Sequence, residues 1–317
     1  MTYQYDAAGS QTSLTRSNGT ASLLPAAVAS ASYDAANEQT AFAGATLTYD
    51  ANGNLTNDGV YTYQWDARNR LVGIGGGTTA SFRYDALGRR VSKTLSTQSS
   101  ALSTGFLYDG NDIAEEIGGG AVGANYVRSL NIDEPFIRQS GTGPEFFHTD
   151  ALGSSLALSN GQGAPATTYG YEPFGKTTVT GTSSNAFQFT GREHDGPVLS
   201  GVEGAGLTYY RARYYHPKLQ RFIGEDPMRY EGSNVNMYAY VRNSPLNFRD
   251  PTGLKEFSDD FNGPLPADGY WTSQMSQTRC GRIPPAPPGV DIDQNMIDAN
   301  GNWSPWWFRD QVTTKGP

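Results

Sequence analysis

The sequence is poor in cysteine, in charge and in long apolar runs, and each shortage excludes something. The one cysteine, Cys280, cannot supply a disulfide framework or a zinc cluster. It is expected to be an ordinary side chain. No window approaches the length of a transmembrane helix, so no transmembrane segment is expected. The opening Met1-Thr-Tyr-Gln-Tyr-Asp6 has no charged stretch followed by an apolar one, so no signal peptide is expected there. It begins instead inside a strand-like pattern. Charged residues make up 17% of the chain and the net charge is −8. That balance is a poor electrostatic match for nucleic acid, and direct nucleic-acid binding is not expected.

What the chain does have is 38 glycines and 19 tyrosines among its 317 residues, a mix that favours many short strands and turns. It also repeats itself. Tyr-Asp occurs at Tyr5-Asp6, Tyr33-Asp34, Tyr49-Asp50, Tyr84-Asp85 and Tyr108-Asp109, with Trp65-Asp66 as a further copy. Tyr49-Asp-Ala-Asn-Gly-Asn-Leu55 and Tyr84-Asp-Ala-Leu-Gly-Arg-Arg-Val91 share one grammar: aromatic, Asp, a turn with glycine, then an aliphatic residue. An Asp carboxylate accepts hydrogen bonds from turn N–H groups. Gly53 and Gly88 take a positive φ without penalty. Alternation at Tyr61, Tyr63 and Trp65, and at Phe187 and Phe189, has the period of a half-buried strand.

In these repeats, over about residues 1–254, the chain resembles the RHS/YD-repeat family. The resemblance implies a mainly β fold, with antiparallel YD-repeat strands forming part of a spiralling shell around a C-terminal cargo, commonly a toxin. A short irregular or mixed tail would follow. From Phe146 an ordered set of motifs appears: His148-Thr-Asp-Ala-Leu-Gly-Ser154, Tyr169-Gly-Tyr-Glu-Pro-Phe-Gly175, Phe189-Thr-Gly-Arg-Glu193 and Tyr209-Tyr-Arg-Ala-Arg-Tyr-Tyr215. Arg221-Phe-Ile-Gly-Glu-Asp-Pro227, Tyr238-Ala-Tyr-Val-Arg-Asn-Ser-Pro245 and Asp250-Pro-Thr-Gly-Leu254 complete it. This set is similar to the RHS repeat-associated core. Residues 197–206 depart from it and read as a loop insertion. The expected division is repeats at 1–145, core at 146–254 and a variable segment at 255–317.

The resemblance also implies chemistry. In the family, two Asp-Pro segments and an upstream arginine form an aspartyl-protease-like site that cuts the chain after the Asp-Pro-x-Gly-Leu motif. The matching residues are Arg221, Asp226 and Asp250, with the cut between Leu254 and Lys255. Arg229, Arg242 and Arg249 are neighbouring candidates for the arginine. Two close carboxylates do not both ionise easily. The ionised one can activate water, and the protonated one can donate to the carbonyl oxygen. Against this stands the plain role of Asp before Pro, which is to open a turn.

Other patterns are decoys. Gly170-Tyr-Glu-Pro-Phe-Gly-Lys-Thr177 matches the P-loop spacing, but the following Thr178-Val-Thr-Gly reads as strand and turn, not helix. Gly73-Ile-Gly-Gly-Gly77 is a glycine-rich turn. Asp291-Ile-Asp-Gln-Asn295 starts like a calcium loop but has Met296 where glycine is needed and Asn302 where the bidentate Glu belongs. His148, His194 and His216 are scattered and fit structural roles. No metal and no cofactor are expected.

After Leu254 the grammar changes. Pro284-Pro-Ala-Pro-Pro288 reads as an extended spacer. Gly289-Val-Asp-Ile-Asp293 and Trp303-Ser-Pro-Trp-Trp-Phe-Arg-Asp-Gln-Val312 resemble the opening of a polymorphic-toxin domain of the toxin 44 family. The 63 residues after Leu254 are too few for a confident independent core, so no complete toxin active site is expected. The leading functional reading is a secreted or surface-delivered toxin shell with a self-cleaving end, used in competition between bacteria. Its partners would be its own toxin cargo, an immunity protein and a secretion apparatus. The alternatives are a non-catalytic surface or wall-associated adhesion or sugar-binding repeat protein, or an inactive gene fragment.

Overall fold

One turn, used again and again, organises the protein. At Asp50 the carboxylate Oδ1 accepts the backbone N–H groups of Asn52 and Asn54, each at 2.9 Å. Asp66 does the same for Arg68 and Arg70, Asp85 for Leu87 and Arg89, and Asp150 for Leu152 and Ser154. The third residue after the aspartate sits in the left-handed region. It is Gly53 at φ +74°, Gly88 at +84°, Gly153 at +82°, and Asn69 at +56°. Glycine and asparagine are the residues that adopt this conformation at least cost. Asn160 replaces the aspartate in one copy and still accepts from Gln162 and Ala164, so a side-chain amide oxygen suffices for the turn.

The computed structural model describes residues 2–5, 11–15, 28, 30–76, 79–96, 100–195, 206–229 and 235–254. The chain divides into two units, Met1–Asp260 and Phe261–Pro317. The second lies wholly outside the described residues. So do Lys255, Cys280, most of the loop insertion at 197–206, the proline-rich spacer, the calcium-like segment and the toxin-like tail.

The described part is antiparallel β with two short 3-10 turns, at Phe189–Gly191 and Val241–Asn243. β1 (Thr2–Tyr5) pairs with β2 (Gln11–Thr15), and β3 (Ala31–Tyr33), β4 (Gln39–Phe42) and β5 (Ala45–Thr46) form a three-stranded sheet. The main element is a fourteen-stranded meander in which each strand pairs with the next. It comprises β6 (Thr48–Tyr49), β7 (Leu55–Asn57), β8 (Thr62–Trp65), β9 (Leu71–Gly75), β10 (Thr79–Tyr84), β11 (Arg90–Ser96) and β12 (Ala101–Asp109). It continues through β13 (Asp112–Gly118), β14 (Ala121–Arg128), β15 (Pro135–Ser140), β16 (Gly143–Thr149), β17 (Ser155–Ser159), β18 (Pro165–Tyr171) and β19 (Thr177–Gly181). A four-stranded sheet follows: β20 (Glu193–His194), β21 (Thr208–Tyr210), β22 (Arg213–His216) and β23 (Arg221–Phe222).

Register puts Tyr63, Ile74, Ala80 and Leu95 in one cross-strand row on a single face of the meander. All four are buried, and the small sheet covers them with Leu207, Tyr209, Tyr214 and Ile223. Burying a side chain of this size contributes about 1.5–3 kcal/mol. The small sheet touches both ends of the meander. The Ile223 carbonyl accepts from Leu55 N in β7 at 2.8 Å, and Tyr215 Oη donates to the Phe174 carbonyl just beyond β18 at 2.9 Å. Those strands are eleven steps apart, about 50 Å across a flat sheet. The meander must therefore curve around the small sheet.

Charges are drawn into this interior in matched sets. Arg90, almost wholly buried, ion-pairs with Asp195 and lies 4.4 Å from the Tyr209 ring centre. Lys93 reaches the other oxygen of Asp195 at 3.0 Å. Arg192 pairs with Asp133, itself 1% exposed. Buried ions need such partners, because leaving one unpaired costs several kcal/mol.

Candidate functional site

The last two aspartate turns of the described chain differ from those at Asp66 and Asp85 in where their second oxygen points. Asp226 Oδ1 accepts from Met228 N at 2.8 Å, and Asp250 Oδ1 accepts from Leu254 N at 3.1 Å. The left-handed residue is again three places on: Arg229 at φ +50° and Gly253 at +71°. Each carboxylate thus uses Oδ1 to form its own turn. Each Oδ2 then meets the same nitrogen, Nη2 of Arg213, at 3.0 Å for Asp226 and 3.5 Å for Asp250. All three side chains are buried, at 5% exposure for Arg213, 9% for Asp226 and 3% for Asp250.

Arg213 is fixed on every side. Its Nε donates to the Gly253 carbonyl and its Nη1 to the Met237 carbonyl, and its guanidinium carbon lies 3.6 Å from the Phe222 ring centre. Burial pushes the guanidinium down from its ordinary value, opposed by the charges of Asp250 and Asp226. Its neighbours extend the hold on residues 250–254. Arg211 Nη1 donates to the Pro251 carbonyl and Ala212 N to the Thr252 carbonyl. Three successive residues therefore clamp three successive carbonyls immediately before Leu254. Gly253 is required there, since a Cβ would stand 2.4 Å from the Tyr210 carbonyl oxygen.

The structure thus brings Asp226, Asp250 and Leu254 together. Arg221 is directed elsewhere. Its Nη2 donates to the Asn37 carbonyl, and its guanidinium packs over the rings of Tyr238 and Tyr33 at 4.7 and 5.3 Å. Burial pushes Arg221 down, opposed by Tyr49, Tyr33, Tyr238 and Asp34. The arginine beside the carboxylates is Arg213, from the Tyr-Tyr-Arg-Ala-Arg-Tyr-Tyr run. A signal for it was present in that run: two arginines among tyrosines, with no acidic residue adjacent, must find distant carboxylates if they are buried.

The decoys take structural places. Residues 172–176 close a turn with the backbone bonds of the aspartate turns, Glu172 N–H donating to the Lys176 carbonyl at 3.0 Å and Gly175 N–H to the Glu172 carbonyl at 2.8 Å, and Lys176 pairs with Glu172 at 3.1 Å. Strand β19 follows, as its sequence suggests. His148 meets Ser159 Oγ at 2.9 Å, His194 is pushed down to about 4 by burial, and His216 Nε2 lies 3.5 Å from Asp58.

Comparison with known proteins agrees with the repeat grammar. The Teneurin YD-shell family model matches residues 1–246. The tRNA nuclease WapA of Bacillus subtilis (strain 168) is 29% identical over 266 residues, covering 79% of this chain and 11% of WapA. The toxin protein Tse5 of Pseudomonas aeruginosa is 29% identical, covering 69% of this chain and 19% of Tse5. Among solved structures, a TcdB2-TccC3-TEV crystal structure aligns with a TM-score of 0.53 at 20% identity, over 65% of this chain and 11% of that one. The Tc holotoxin pore of Photorhabdus luminescens aligns at 0.51 and 20% identity, over 71% and 11%. The chain therefore spans only about a tenth of the length of WapA and of these structures. With most of its length matched by the family model and its turns built on one aspartate pattern, the chain belongs to the Teneurin YD-shell family.

Proposed function

We propose that this chain is the wall and cutting end of a toxin-delivery shell, and that it severs itself between Leu254 and Lys255 by an aspartyl mechanism. The observation that carries the reading is the convergence of Asp226 and Asp250 on Arg213 beside the clamped residues 251–254. Asp226 lines a cavity of about 370 Å³, so it is the carboxylate placed to meet water. It takes a proton from that water, whose oxygen attacks the Leu254 carbonyl carbon. Asp250, held by Leu254 N, is the member of the pair that carries a proton in the reactive form, and it supplies that proton to the carbonyl oxygen. Collapse of the intermediate breaks the C–N bond: the amine of Lys255 takes the proton held by Asp226, a hydroxyl proton of the intermediate returns to Asp250, and Leu254 is left as a carboxylic acid. Arg213 orients both carboxylates and offsets the negative charge that gathers there.

In this reading residues 1–145 and 146–254 are wall, and residues 255–317 begin the cargo. The names of relatives support a toxin: WapA is a tRNA nuclease and Tse5 a toxin protein. An immunity protein and a secretion route would accompany such a toxin, released in competition between bacteria. A second reading rests on the shared turn geometry: Asp226 and Asp250 act only as buried clasps. One experiment separates the two. The complete protein is held at neutral pH and its fragments are sequenced from their N-termini. A new terminus at Lys255 supports cleavage. A terminus at Pro227 or Pro251 marks acid hydrolysis of labile Asp-Pro bonds instead. A chain that stays intact supports the clasp.

A further inference from the structure

The turns at Asp50, Asp66, Asp85 and Asp150 lie at one end of the meander, since every second connection of an antiparallel meander falls there. Two connections at that same end break the pattern. Between β12 and β13 the Tyr108-Asp109 copy closes as a tight hairpin, with Asp109 paired to Asp112 and Gly110 at φ +59°. Between β14 and β15, Ser129 Oγ accepts from Asn131 N at 2.8 Å, and Asp133 stands in the left-handed region at φ +63°. Both irregular connections reach one side chain, Arg211. Asp112 Oδ1 accepts from its Nη2 at 2.9 Å, and the Asn111 carbonyl from its Nε at 3.4 Å. Asp133 takes both arms of the fork, Oδ1 from Nη2 at 2.7 Å and Oδ2 from Nη1 at 3.1 Å. Burial pushes the Asp133 carboxyl up, but Arg192 and Arg211 outweigh this and hold it below its ordinary value, so it faces Arg211 as an anion.

Arg211 passes this hold on to the cutting segment. Its Nη1 also donates to the carbonyl of Pro251, the residue after Asp250. Arg211 itself turns the β21–β22 hairpin in the left-handed region, at φ +54°. That conformation is costly for a residue other than glycine and persists only where the surroundings enforce it. Both partners of the Arg211–Asp133 pair therefore stand on strained backbone. The repeat grammar is abandoned at the two connections that face Arg211 and kept at their neighbours, and local rules are broken in this way where function asks for it. We propose that Asp112 and Asp133 are positioning residues for the cut. They aim Arg211, which sets the Pro251 carbonyl and with it the stand of Asp250 against Asp226. The effect on rate rests on the cleavage reading, whereas the hold on Pro251 does not. Two connections of the wall, and not the buried cluster alone, then determine the cutting geometry.

Two measurements on the full chain test it. Asp112 is partly open to water, so Asp112→Asn should melt with the parent yet slow cleavage about 5-fold by loosening Arg211. Asp112→Glu keeps the charge and should return the rate to within about 2-fold of the parent. A residue that only stabilised the hairpin would shift the melt and not the rate. Arg211→Gln releases the Pro251 carbonyl itself and should slow cleavage about a hundredfold, the scale of a small misplacement at a reacting group. Should Arg211→Gln fail to fold, the two Asp112 variants decide alone. Independently of cutting, Arg211→Gln in a chain carrying Asp226→Asn should lower the hydrogen-exchange protection of the Gly253 and Leu254 N–H groups about tenfold, the factor of one charge-assisted hydrogen bond. Cleavage at the parent's rate in Asp112→Asn and in Arg211→Gln would overturn the positioning role and leave the cleavage reading standing. A parent that never cuts, with protection lost in Arg211→Gln, would end the cleavage reading and keep the hold on Pro251. A parent that never cuts, with protection unchanged, would overturn both.

Discussion

The turn at Asp66 and the turns at Asp226 and Asp250 are built alike and placed differently. In the first, Oδ1 holds the turn and Oδ2 bonds Arg70, four residues on, with both side chains about a quarter exposed. Asp85 repeats this with Arg89. In the last two turns Oδ1 keeps its local task, but Oδ2 meets an arginine of β22, distant in sequence and away from water. A structural repeat has been turned into a buried charged cluster by changing only the partner of one oxygen. The turn itself is kept, because the side-chain Oδ1 still accepts from a turn N–H. What changes is the environment: the same carboxylate that is a surface ornament at Asp66 becomes a group with electrostatic leverage at Asp250.

The sharpest way to break this contrast is to remove the carboxylate while keeping the turn. Asp226→Asn and Asp250→Asn should each reduce self-cleavage at least about a thousandfold, the loss expected when an essential acid or base is removed. The fold should survive, because Asn160 already serves as the acceptor in the same turn. Gel time courses read the first effect and thermal melts the second. Loss of cleavage with a collapsed melt would mean the residues were structural; retained cleavage would end the aspartyl mechanism.

Next in size is Arg213→Gln. It leaves two buried carboxylates without their shared cation, and breaking a buried pair in this way costs about 3–5 kcal/mol. Denaturant unfolding should show a loss near that scale, whereas Arg70→Gln should cost under about 1 kcal/mol. Equal losses at the two sites would dissolve the distinction between the turns.

Much of the contrast could be read in the sequence, and part of it could not. The aspartate, the left-handed residue three places on and the alternating apolar face are local, so Asp50, Asp66 and Asp85 with Gly53 and Gly88 fix their turns within a few residues. Asp226 and Asp250 stand out because proline follows each and because the motif order resembles the repeat-associated core. Arg213 is different. It lies 13 residues before Asp226 and 37 before Asp250, and nothing local links it to them. Arg221 is nearer in sequence, but β23 turns it toward Tyr238 and Asn37. Choosing between the two arginines needed the three-dimensional pairing of β22 with the segment at 250–254. The curvature of the meander is likewise a consequence of the small sheet touching β7 and the end of β18, which periodicity does not encode.

Asp58 offers an intermediate case that sharpens the comparison by pH. Its Oδ1 accepts from Val60 N and Tyr61 N at 2.8 and 2.6 Å, and its Oδ2 faces inward to Tyr63 Oη at 2.7 Å and His216 Nε2 at 3.5 Å. Burial pushes its carboxyl up, but the hydrogen bonds from His216, Tyr61, Tyr63 and Val60 outweigh this and hold it at about 2. A depressed carboxylate contributes stability that is present above its unfolded value near 3.8 and is lost as pH falls toward 2. After allowance for solvent screening the loss is about 1–2 kcal/mol. Asp58→Asn should flatten the stability profile between about pH 4 and pH 2. An unchanged slope in melts across that window would place the acid sensitivity elsewhere.

The smallest effect is expected at Asp66, and it is the control on which the others depend. Asp66→Asn keeps Oδ1 as the acceptor for Arg68 N and Arg70 N, so the turn should persist. What it removes is the charge that pairs with Arg70 at 2.7 Å, where both side chains are open to water. Exposed pairs of this kind contribute about 0.3–0.5 kcal/mol, because the ions are well solvated apart and salt screens them. Asp66 is lowered, burial pushing it up and the Arg70 and Arg68 donors pulling it down. The variant should therefore melt within about 1–2 °C of the parent and cut at an unchanged rate, with the small difference vanishing in high salt. A loss of cleavage at Asp66→Asn comparable to that at Asp226→Asn would mean that the outer turns are coupled to the buried cluster. The site would then have to be redrawn to include the wall of the cavity.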